Sequence, residues 1–106
     1  MTNKEQFFEH LKFDLNYSDQ TIKSYGQDID SFEEFLKFIN LNIEQANTQT
    51  IRDYLSKEIE EGKSKVTCCR RISALRHYFE FLVRINVLST NPFLLINSPK
   101  KEIRYP

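Results

Sequence analysis

Lys63, Lys65, Arg70, Arg71 and Arg76, with His77 beside them, form the densest cationic cluster of this 106-residue sequence, and no acid interrupts it until Glu80. Lys63, Ser64, Lys65 and Thr67 crowd what reads as the start of a helix. There the unpaired backbone N–H groups and the helix dipole favour an anion, and the two hydroxyls add donors. Arg70, Ser73, Ala74 and His77 recur at threes and fours, on a face expected to be distinct from the apolar stripe. Small residues on such a face permit close approach to a major groove, and arginine reaches bases or phosphates from it. The competing reading of any charge run is a solvated helix surface. Against it stands the missing acidity, because the second and third helices intersperse charges of both signs and this one does not.

Other chemistry finds little support. His10 and His77 are far apart in sequence, and Cys68-Cys69 has no partner pair with metal-ligand spacing. Both glycines are isolated, so there is no phosphate-cradling loop. The expectation is therefore no metal and no cofactor. Adjacent cysteines cannot form an ordinary structural disulfide, and two free thiols suit a reducing cytoplasm.

The formal charge of zero hides an asymmetry. Residues 1–62 carry six Lys/Arg against thirteen Asp/Glu, a net of −7, whereas residues 63–106 carry nine against two, a net of +7. A segregated charge of this kind is compatible with a nucleic-acid partner where a uniform one is not. No apolar run is long enough to span a membrane, and no leader pattern opens the chain. The length fits one domain.

Nine Phe, five Tyr, two Gly and three Pro favour long helices over hairpins. The first helix is expected over about 3–16, capped by Thr2 or Asn3, with Phe7, Phe8, Leu11 and Leu15 inward. The second starts at Ser18 or Asp19 and continues to about Asn40, burying Ile22, Tyr25, Ile29, Phe32, Phe35, Leu36 and Ile39. Gly26 inside it costs about 1 kcal/mol relative to alanine, and allows close approach of a crossing helix or of a ligand. The third spans about 48–61, with Ile51, Tyr54, Leu55 and Ile59 inward, and stops at Gly62. The fourth follows Ser64 and reaches about Ile85, with Cys69, Ile72, Leu75, Phe79 and Leu82 buried. Thr90-Asn91-Pro92 opens a short helical turn, and residues 98–106 read as an extended linker.

Three motifs in this order resemble the core-binding, SAM-like domain of tyrosine recombinases, the Xer and phage-integrase group. The first is Ser18-Asp19-Gln20-Thr21 with Tyr25, Asp28-Ile29, Phe32 and Phe35. The second is Arg70-Arg71-Ile72-Ser73-Ala74-Leu75-Arg76-His77-Tyr78-Phe79-Glu80-Phe81-Leu82. The third is Asn91-Pro92 with Ser98-Pro99-Lys100-Lys101. Cys68-Cys69 and Gly26 depart from the family pattern; the cysteines are expected to pack, and a contact at Gly26 is in doubt.

The resemblance implies an all-α, four-helix SAM-like fold, two helix pairs crossing steeply, followed by a short helical turn and linker. Residues 1–97 would be the core-binding domain and 98–106 the start of a linker to a C-terminal catalytic domain. It implies that the second and fourth helices face double-stranded DNA, through Ser18, Thr21, Lys23 and Ser24 on one. On the other the contacts would be Lys63, Ser64, Lys65, Thr67, Arg70, Arg71, Arg76 and His77. Thr21 and Thr67 serve equally well as local caps, and Tyr25 is expected to pack. In that group a tyrosine attacks the scissile phosphate, but tyrosines 17, 25, 54, 78 and 105 do not match its nucleophile motif, so this stretch alone should be inactive. Further implied partners are recombinase protomers in a tetrameric synapse. Two alternatives are a small helical protein-interaction module and, lower, a helix-turn-helix transcription factor, which the long helices and the loop at 43–47 disfavour.

Overall fold

A computed structural model of the chain describes residues 2–95. Helix α1 spans Asn3–Glu9 and runs directly into a π-helical turn, His10–Asp14. Helix α2 spans Asp19–Phe38, α3 Thr48–Glu60 and α4 Lys65–Arg84, with 3-10 turns at Ile43–Gln45 and Pro92–Leu95. There is no strand among the described residues, and the class is all-α as expected. The proposed linker at 98–106 lies outside the described residues.

Local chemistry sets the boundaries. Thr2, Ser18, Asn47 and Ser64 each accept a hydrogen bond from the backbone N–H three residues on, satisfying a donor that the helix leaves unpaired. The opposite ends close on left-handed residues: Asn16 (φ 57°), Asn40 (φ 57°), Gly62 (φ 92°) and Asn86 (φ 66°). After Asn16 the Tyr17 N–H reaches back six residues to Leu11 O, and after the other three the next N–H reaches back five, from Leu41 to Leu36 O, Lys63 to Glu58 O and Val87 to Leu82 O. The latter is the Schellman arrangement, which satisfies carbonyls that would otherwise be orphaned.

The core joins all four helices. Phe7, Leu11, Ile29, Phe32, Ile51, Tyr54, Ile72, Leu75, Phe79 and Leu82 are buried, and Phe93 of the last 3-10 turn is buried with them. Phe93 stacks edge-on to Phe32 and Phe79, with ring centroids at 5.8 and 4.9 Å. Helices α2 and α4 make the most extensive packing of any pair.

Several inward assignments are corrected. Leu15 is 41% exposed because the π turn holds more residues than an α turn and rotates everything after Leu11 out of register. Ile39 and Ile59 sit at the fraying ends of α2 and α3 and are exposed. On α4, Cys68 rather than Cys69 is fully buried, and Ala74 belongs to the core, not to an exposed face. Gly26 is explained by packing: a Cβ there would stand 3.3 Å from Phe8 Cζ. Both cysteines are free; burial pushes the Cys68 thiol pKa up, which suits a packing residue.

Candidate nucleic-acid interface

Helices α2 and α4 open on the same device. Ser18 Oγ accepts from Thr21 N–H at 3.2 Å and lies 2.9 Å from Thr21 Oγ1. Ser64 Oγ accepts from Thr67 N–H at 3.1 Å and donates to Thr67 Oγ1 at 3.1 Å. Both serines are exposed and both threonines half-buried. Thr21 and Thr67 are thus local hydrogen-bonding partners of the cap residues, with hydroxyls still at the rim of each helix end.

The two ends differ in charge. The first turn of α2 contains Asp19, 4.0 Å from Lys12. The first turn of α4 contains no acid. Lys65 is exposed and Lys63 half-buried there, so the positive end of the helix dipole meets two ammonium groups, of which Lys63 also feels the Glu61 carboxylate before the helix. Lys23 is exposed on the second turn of α2, with Ser24 half-buried beside it.

Beyond the first turn the cations diverge, because adjacent residues on a helix point about 100° apart. Arg70 is half-exposed and lies side-on to Asp28 of α2, Nη2 to Oδ1 at 2.6 Å and Nε to Oδ2 at 3.3 Å. Arg71 turns inward. Its Nη1 donates to Ser31 Oγ at 2.8 Å, to Tyr54 Oη at 3.2 Å and to the Glu58 carboxylate. Its Nε lies 3.6 Å from Asp28 Oδ1. Asp28 is fully buried and Glu58 nearly so, and a carboxylate taken from water needs a cation beside it. Arg71 therefore joins α2, α3 and α4 through one buried polar network, and burial keeps the Tyr54 phenol protonated by raising its pKa.

Arg76 and His77 also point into the protein. Arg76 Nε donates to Phe93 O at 3.3 Å, while Asn91 Nδ2 donates to Arg76 O at 3.2 Å, fastening the last turn to the middle of α4. The His77 ring sits among Phe7, Tyr17 and Tyr25, at centroid distances of 5.3, 6.1 and 5.9 Å. Burial pushes its pKa below the usual histidine value, so it is a neutral packing ring at pH 7. The expected basic face thus divides. Lys63, Ser64, Lys65, Thr67 and Arg70 lie at or near the surface, with Ser18, Thr21, Lys23 and Ser24 on α2. Arg71, Arg76 and His77 are engaged inside.

The sequence does carry a signal for the inward arginine. Asp28 lies three residues after Tyr25 and four before Phe32, and Glu58 lies four after Tyr54, so both acids fall within apolar stripes. A carboxylate in such a stripe requires a buried cation, and α4 supplies one next to Ile72. Among the described residues no cluster of His, Cys, Asp and Glu could hold a metal ion, and no helix is long and apolar enough to cross a membrane.

Residues 5–86 match the family described as phage integrase, N-terminal SAM-like domain. The chain belongs to this family. Tyrosine recombinase XerC of Bacillus subtilis is 41% identical over 94% of the chain and 33% of its own length. XerC of Bacillus pumilus is 38% identical over the full chain and 36% of its own length, and XerC of Listeria monocytogenes serotype 4b is 34% identical over 97% of the chain and 35% of its length. This SAM-like domain therefore spans about a third of the curated relatives it matches. No solved structure matches it. The helical architecture agrees with the family, and the matched stretch contains both Ser-x-x-Thr helix starts, Asp28 and all three arginines at 70, 71 and 76.

Proposed function

We propose that this SAM-like domain grips duplex DNA at a recombination core site, as part of a tyrosine-type site-specific recombinase whose catalytic residues lie in a domain after residue 106. The acid-free, exposed start of α4 is the observation that carries the reading. Lys63 and Lys65 there, with Lys23 on α2, contact phosphates, and Ser64, Thr67, Ser18, Thr21 and Ser24 add hydroxyl contacts. Arg70 extends the same surface along α4. Arg71, Arg76 and His77 support this surface from within rather than touching DNA. In the intact protein the catalytic domain closes on the opposite side of the duplex, and protomers assemble in fours on paired sites in the cytoplasm. Phosphate contacts supply most of the affinity.

An NMR titration with a short duplex at low salt, repeated near physiological salt, tests this. Shifts should concentrate at residues 18–24 and 63–70. With three lysines on phosphates, log K should fall against log salt with a slope of about −3. Absence of any shift at low salt removes DNA binding by this domain. Shifts induced instead by a protein partner around Phe13 and Phe38, which are 70% and 76% exposed, would favour an interaction module.

A further inference from the structure

We propose that Arg70, aimed by the buried Asp28, reads a guanine in the major groove, and that Val66 packs against the methyl group of a nearby thymine. The inference rests on the DNA-binding reading above and adds to it which side chains touch base edges rather than phosphates.

Asp28 takes the Nε and Nη2 edge of the Arg70 guanidinium and is itself fully buried, so it cannot follow a ligand outward. The guanidinium is planar, and the hydrogens left over are those of Nη1 and the second hydrogen of Nη2, which form a two-pronged end. Nη1 has no hydrogen bond among the described residues. Guanine O6 and N7 present two acceptors that such a prong fits.

A phosphate is the other acceptor that arginine recognises, and the charge balance speaks against it. Asp28 cancels the charge of Arg70 at hydrogen-bond distance, which weakens attraction to a phosphate but leaves the direction of the prong intact. Among the described residues Lys65 has no acid at hydrogen-bond distance and Lys63 has only the more distant Glu61, so both are better phosphate ligands than Arg70. The neighbours of Arg70 point the same way. Val66, four residues earlier and therefore on the same face, is 73% exposed. An isolated apolar side chain has nothing to gain at a phosphate, whereas a thymine methyl offers it an apolar contact. Ser73, three residues later, is exposed and short, leaving clearance for the groove floor.

The test is selection of bound duplexes from a randomised 20-base-pair pool by the full chain at low salt, followed by sequencing. One column should show guanine enriched at least about fivefold, with a thymine preference close by. Arg70→Lys keeps the charge and loses the prong. It should flatten the guanine column. Asp28→Asn should weaken the same column, and should add nothing to the sequence preference once Arg70→Lys is present, because Asp28 acts through Arg70. Val66→Ser should reduce only the thymine preference.

Helicity measured for each variant separates this from unfolding, and if Asp28→Asn does not fold, Arg70→Lys and Val66→Ser still decide. DNA retained without a guanine column, or a column that survives Arg70→Lys, overturns base reading while leaving DNA binding intact. A column untouched by a folded Asp28→Asn overturns the aiming role. If no DNA is retained at all, the DNA-binding reading itself falls.

Discussion

Replacing Arg71 with methionine should destabilise this domain far more than replacing Arg70, although the two are adjacent in sequence and identical in type. Arg71 has only 15% of its side chain exposed, and it faces Glu58 at 5% and Asp28 at 0%. Methionine fills the volume of the stem but leaves Glu58 with no cation and Asp28 with Arg70 alone. Stranding one member of a buried ion pair costs about 3–5 kcal/mol, against a total stability of about 5–15 kcal/mol for a domain of this kind. Arg70 is 49% exposed, so solvent screens its pairing and its replacement should cost about 1 kcal/mol. Urea unfolding followed by circular dichroism reads the difference. With a slope of about 1.5 kcal/mol/M, Arg71→Met should lower the midpoint by about 2–3 M. Adding Glu58→Leu should restore part of the loss, because the stranded charge is removed with it. An Arg71→Met midpoint within about 0.5 M of the parent, or one matched by Arg70→Met, would refute the buried network as a source of stability.

Three further outcomes follow from other parts of the fold. Ser64→Ala removes the α4 cap and should cost about 1 kcal/mol in thermal or urea unfolding. Ser64→Gly should cost only a few tenths of a kcal/mol. His77 has a folded pKa held below 6.5 by burial, so the unfolded chain takes up its proton first as pH falls. Its contribution to stability is complete above about 6.5 and declines below it, and His77→Phe should flatten the stability profile between about pH 5 and 7. Gly62→Ala places a side chain at φ 92° and should cost about 1 kcal/mol; Gly62→Asn should cost less, because asparagine tolerates the left-handed region, as Asn16, Asn40 and Asn86 do here.

The helices were legible in the sequence because their ends are written in local chemistry. Ser18 and Ser64 cap, Gly62 stops α3, and the apolar spacing of threes and fours covers the cores of α2 and α4. The interior of the first helix was less legible, since a π turn leaves the sequence spacing unchanged while moving Leu15 outward. The basic surface was legible only at the start of α4. Counting charge along the chain places Arg70 and Arg71 together, yet the acids they meet belong to α2, and for Arg71 also to α3. Part of the segregation between the acidic and basic halves is therefore cancelled in space, across Asp28 and Glu58. That cancellation depends on which helices cross, a long-range property that no local window contains. Val66 carries no signal in the sequence for the opposite reason: what an exposed valine can contact depends on the neighbours the fold sets beside it.

Phe93 draws a boundary of its own. The stretch that matches the family ends at residue 86, yet this ring, seven residues later, is wholly enclosed between Phe32 and Phe79. A chain ended at Asn86 would keep every helix and lose the plug of its own interior. The void would cost about 3–5 kcal/mol, as large as deleting a core phenylalanine outright. The stretch covered by the family match is thus shorter than the packed core, and the turn after α4 is where the two part.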